Sequence, residues 1–124
     1  MSDTALFVGW GGTNPGREHH AVATFKQWIE LLEEQKAAGD IDRFEHVMLG
    51  PHGGELDGFT LVYGEPEKLM QLQLRDEVRQ LRLRAFADHA KFSVITALVG
   101  EAVVREYEAF EKVVGELERE LVPA

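Results

Sequence analysis

The chain contains no cysteine. That removes disulfides, thiolate zinc sites and thiol nucleophiles together. It also has no apolar run approaching the length of a membrane span. The opening Met1-Ser2-Asp3-Thr4 is polar and lacks the basic-then-apolar pattern of a secretory leader, so a cytoplasmic location is the expectation. Basic residues are scarce, 13 against 22 acidic ones, for a net charge of −9. Such a field repels polyanions, so neither nucleic acid nor an anionic membrane is expected as a partner. The acid concentrates between Glu101 and Glu120. Reaction signatures are missing as well. There is no Ser-His-Asp order, nucleophile elbow or phosphate loop. Gly9-Trp10-Gly11-Gly12 follows a strand-like run but lacks the third glycine of a dinucleotide fingerprint.

What is present suits one globular domain of 124 residues with 44% apolar content. Leu6, Val8 and Trp10 alternate with Ala5, Phe7 and Gly9 and predict a strand over 5–10. The Gly11–Gly16 stretch is loop chemistry, with Asn14-Pro15 fitting the start of a helix that runs to about Ala38. Its apolar face is Val22, Phe25, Trp28, Ile29 and Leu32, and Gly39 stops it. Ile41 to Leu49 predicts a second strand, with Phe44, His46 and Met48 on one face. The loop from Gly50 to Gly58 is too short for a crossover, so Phe59 to Tyr63 returns antiparallel beside it.

Pro66 to Ala90 is helical, with one stripe of Met70, Leu74, Val78, Leu81 and Ala85 and a second of Leu72, Leu83 and Phe86. Two stripes imply two contacts, or a break near Arg75-Asp76. Phe92 to Val99 is a β-branched fourth strand. From Glu101 to Leu121, Val103, Tyr107, Phe110, Val114, Leu117 and Leu121 repeat at alternating four and three, a heptad seam that needs a surface to pack on.

Two similar βαβ halves therefore follow one another. The implied fold is α+β, ferredoxin-like βαββαβ: a four-stranded antiparallel sheet with helices on one face, plus a C-terminal amphipathic helix. The other sheet face carries apolar residues and calls for cover, which a twofold copy supplies most simply.

In the segment Leu6–Trp10, the loop Gly50-Pro51-His52-Gly53-Gly54 leading to Asp57-Gly58-Phe59, and Gly64-Glu65-Pro66, the chain resembles the dimeric α+β barrel superfamily over about 5–100. The resemblance is one of architecture and turn placement. It implies a homodimer whose two sheets meet face to face, and a small-molecule pocket between helices and sheet in each subunit. Activities on this fold include cofactor-independent monooxygenases, isomerases, cyclases and haem-degrading enzymes, so the fold names no reaction. A small organic ligand is expected, with no cofactor.

Three histidines are candidate bases: His46 on a strand face, His52 in the glycine-rich loop and His89 at a helix end. The resemblance makes His89 a candidate haem ligand too, the alternative to a base. A non-catalytic sensing or assembly module, built around the last helix, is another alternative. Trp10, flanked by glycines, and Tyr63 are candidate walls for a flat substrate. Arg75, Arg79 and Arg82 share a helix face that suits an anion or plain solvent. His19 and His20 are adjacent, point about 100° apart on a helix and cannot easily share a metal, so no metal site is expected.

Overall fold

A computed structural model describes residues 3–121. Met1 and Ser2, part of the polar opening read above, lie outside them. Among the described residues four strands and four helices follow along the chain: β1 (Thr4–Trp10), α1 (Glu18–Ala37), β2 (Arg43–Met48), β3 (Gly58–Tyr63), α2 (Pro66–Leu74), α3 (Asp76–Asp88), β4 (Phe92–Leu98) and α4 (Glu101–Leu121). The strands form one antiparallel sheet in the order β2-β3-β1-β4. This is the ferredoxin-like arrangement the two βαβ halves predict.

Strand period decides which side of the sheet is wet. Leu6, Val8, Thr60 and Val62 point toward α1, α2 and α3, and all four are buried. With Trp28, Leu31 and Leu32 of α1, and Leu69, Leu72, Val78 and Leu81 of α2 and α3, they make the core. Leu32 is fully buried; a side chain of that kind contributes about 1.5–3 kcal/mol by leaving water. The opposite face carries Phe7, Val47, Phe59, Leu61 and Ile95 with no layer over it. Phe7 and Phe59 stack on that face at 5.3 Å, and Ile95 is 62% exposed.

Several boundaries differ from the sequence reading for identifiable reasons. α1 begins at Glu18, because Asn14-Pro15-Gly16 forms a turn closed by the Arg17 amide to the Asn14 carbonyl at 3.0 Å. Gly39 ends α1 as expected, at φ +79°, a conformation only glycine adopts freely. The long helix does break at Arg75, whose extended ψ of 140° separates α2 from α3. The break rotates the buried stripe. Leu69 and Leu72 face inward in α2, whereas Met70 and Leu74 are exposed. In α3 the stripe Val78, Leu81 and Ala85 is buried as predicted, and Leu83 and Phe86 remain exposed.

α4 has the predicted bounds, Glu101–Leu121. Ala102 is its buried residue, and Arg105 ties its first turns to Asp3 by an ion pair. Beyond that root its seam is bare: Tyr107, Phe110, Leu117 and Leu121 are each more than half exposed.

Candidate functional site

The loop between β1 and α1 is strapped to the junction of α3 and β4. Backbone bonds run from the Gly11 amide to the Lys91 carbonyl, from the Asn14 amide to the Asp88 carbonyl and from the Ala90 amide to the Gly12 carbonyl, each 2.7–2.8 Å. Side chains complete the strap. Arg17 donates through Nε and Nη2 to Asp88 Oδ1 at 3.1 and 2.8 Å, and Thr24 Oγ1 donates to Asp88 Oδ2 at 3.0 Å. Asn14 Nδ2 donates to the Ala87 carbonyl. Asp88 is fully buried, so these donors replace the water its carboxylate gives up. Farther along, Arg84 donates to Gln27, a second tie between α3 and α1.

The ties join α1 to α3 above the sheet and leave space between the helix pair and the strands. That space is a cavity of about 520 Å3 that opens to solvent. Trp10, Trp28, Phe25 and Phe92 supply aromatic wall, and the polar residues reaching it include Thr13, Glu18, Lys26, Arg82 and His89. Thr24 and Gln73 also line it, and the rest of the wall is apolar. Trp10 needs Gly58 across the sheet from it: a Cβ there would stand 2.8 Å from the indole Cζ2 and 2.7 Å from the Val47 carbonyl. Glycine thus lets the ring lie against the strand.

The five sequence-designated residues separate cleanly. His89 and Trp10 line the cavity. His89 Nδ1 stands 3.1 Å from the Gly11 carbonyl, an acceptor only. The neutral ring must therefore carry its hydrogen on Nδ1, which leaves Nε2 as a proton acceptor. His46 lies on the helix-facing side of the sheet, packed edge-on against Phe25, but is not among the cavity-lining residues. Its Nδ1 is 2.8 Å from Thr60 Oγ1, which also receives the Trp28 indole N–H at 3.4 Å, while its Nε2 is buried with no partner among the described residues. Burial pushes the His46 pKa below the ordinary 6.5, with Glu33 pulling weakly the other way.

His52 does neither job expected of a base. Its Nε2 donates to the Leu56 carbonyl at 2.8 Å and its Nδ1 accepts from the Gly54 amide at 3.1 Å, so both nitrogens close their own exposed loop. Tyr63 lies on the uncovered side of the sheet, away from the cavity. The Arg43 guanidinium stacks 3.7 Å from its ring centroid and its hydroxyl donates to Glu45. A one-residue alternation decides this, since Val62 takes the inward position beside it.

His19 and His20 are exposed, and no cluster of three metal-ligating side chains occurs among the described residues. The arginine row divides: Arg75 pairs with Glu77, and Arg82 reaches the cavity.

The strap itself escaped the sequence reading. One signal was available. Asp88 continues the inward spacing of Leu81 and Ala85, and a carboxylate on an apolar stripe demands a partner from elsewhere.

No family model matches the chain, and no curated protein matches it. Solved structures do. A dimeric protein of unknown function with a ferredoxin-like fold from Bacteroides fragilis superposes with a TM-score of 0.54 at 7% identity, covering 77% of this chain and 96% of the other. A dimeric ferredoxin-like protein of unknown function from Thermobifida fusca gives 0.53 at 13% identity, covering 77% and 91%. A hydroxynitrile lyase from Passiflora edulis gives 0.62 at 10% identity, covering 82% and 97%. At such identities the likeness establishes the ferredoxin-like fold.

Proposed function

We propose that the protein is a homodimeric barrel that binds a small, largely apolar organic molecule between α1, α3 and the sheet. The observation that carries this reading is the cavity itself. Its volume of about 520 Å3 lies in the usual range for small-molecule sites, and aromatic wall and a few convergent polar groups meet there. In this reading Trp10 is a wall for the ligand and His89 its proton acceptor. An imidazole with a free Nε2 beside apolar walls suits proton abstraction from an activated C–H or O–H bond, the step that isomerase, cyclase and cofactor-independent oxygenase chemistry share. A hydroxynitrile lyase on the same fold supports an enzyme as one use of the scaffold.

The dimer reading is supported by the uncovered apolar sheet face, by the bare α4 seam, and by two structural neighbours described as dimeric. α4 serves as a further assembly element in this reading, since most helical stability in proteins comes from packing an amphipathic face, and its apolar seam is exposed.

Native mass spectrometry of the purified protein tests both halves together. The expected result is a dimer carrying a reproducible small-molecule mass, which the cavity-filling Ala85→Trp variant loses. A monomer refutes the barrel. A ligand retained equally by Ala85→Trp refutes the cavity as its site.

A further inference from the structure

Among the described residues, Arg82 is a half-buried cation with no carboxylate and no hydrogen-bond partner. It lines the cavity from α3, and Lys26 lines it from α1. Of the other arginines in this region, Arg75 is engaged by Glu77 and Gln35 and Arg84 by Gln27, while Arg79 is exposed to solvent. A guanidinium held against apolar walls loses part of its hydration, and an anion restores that loss better than any neutral group. The protein as a whole is acidic, with a net charge of −9, so its long-range field opposes an anion. Two cations converging on one apolar space inside that field form a local exception. The single carboxylate among the lining residues, Glu18, stands two turns before Lys26 on α1, about 12 Å along the axis.

We infer that the cavity takes an organic anion, an apolar and largely aromatic body bearing a carboxylate or phenolate, and that Arg82 pairs with the anionic group. This inference rests on the cavity being the ligand site. It adds the charge of the ligand and the residue that reads it. Arg82 lies two turns from His89 along α3, about 10 Å. A ligand anchored by its anion at Arg82 therefore presents its opposite end to the imidazole. An acid with its reactive position remote from the carboxylate fits that spacing, and an acid reacting at its own α-carbon does not.

Calorimetric titration with 2-naphthoate and with neutral 2-naphthalenemethanol separates the two levels of the argument. The wild type is expected to bind the carboxylate about tenfold or more tightly than the alcohol at low salt, as a charge-assisted pair implies. The preference should shrink as salt rises. Arg82→Met should lower naphthoate affinity to that of the alcohol and leave the alcohol unchanged, while Arg82→Lys keeps part of the preference. Equal affinity of the wild type for both probes overturns the anion inference and leaves the cavity reading standing. A preference that survives Arg82→Met overturns the pairing of the anion with Arg82. Failure of both probes to bind overturns the cavity reading and this inference with it.

Discussion

Replacing Asp88 with alanine tests the strap that shapes the cavity mouth. The carboxylate is fully buried and accepts three side-chain hydrogen bonds, two from Arg17 and one from Thr24. Removing one partner of a buried charge pair costs about 3–5 kcal/mol when the survivor stays buried. Here the Arg17 side chain is 38% exposed and regains water, so the lower part of that range applies. The expected loss is about 3 kcal/mol, against a total of roughly 5–15 kcal/mol for a domain of this kind. Urea unfolding should show it as a lower midpoint at unchanged slope. Arg17→Met is the informative partner, because it leaves the buried carboxylate without its cation and should cost at least as much. A double-mutant cycle should then return a coupling on the order of 1.5–3 kcal/mol. A loss below about 0.5 kcal/mol for Asp88→Ala would mean the strap is ornamental, and the account of how the loop is held would be wrong.

Other perturbations follow from single contacts. His46 has a folded pKa below its ordinary 6.5 because burial favours the neutral ring. The unfolded chain therefore binds the extra proton first, and stability should be full above pH 6.5 and fall as pH drops through that value toward the folded pKa. His46→Phe should flatten that part of the stability profile, and an unchanged slope would assign it elsewhere. Phe7→Glu combined with Ile95→Glu places charge on the uncovered sheet face and should give a folded monomer by sedimentation; a dimer of unchanged affinity would move the interface away from that face. Haem titration distinguishes the two uses of His89 Nε2. With His89 as a base, no Soret band depending on that side chain should appear, and a band abolished by His89→Ala would establish the ligand role.

The order of elements was legible because it follows from periodicity, and period 2 and period 3.6 leave clear traces in β1, α1, β4 and α4. The break at Arg75 was legible too, as a conflict between two apolar stripes. What the sequence could not supply was phase. Met70 and Leu74 satisfy a helical repeat as well as Leu69 and Leu72 do, and only the sheet beneath decides between them. The same ambiguity puts Tyr63 on the uncovered side of the sheet, whereas Trp10, at the end of a run whose inward members are Leu6 and Val8, lines the cavity. For the histidines the deciding facts are non-local. His89 acquires its tautomer from Gly11, 78 positions away, and His52 is occupied by its own loop. No local pattern encodes either contact.

The cavity is too large to be a packing fault. A sealed apolar void costs on the order of 24 cal/mol per Å3. At that rate about 520 Å3 would cost about 12 kcal/mol, as much as the whole domain is expected to hold. The structure escapes the penalty by opening the space to solvent, and it holds the opening in place with the Asp88 strap and the Gln27–Arg84 tie. Those contacts fix α1 against α3 and so set the shape of the space between the helix pair and the sheet. An open apolar space of that size makes physical sense when something else fills it. The Arg82 guanidinium, half-buried and without a partner among the described residues, is on the same footing: an anion would satisfy it. Open apolar cavity and unpaired Arg82 are thus two costs that one anionic ligand would relieve.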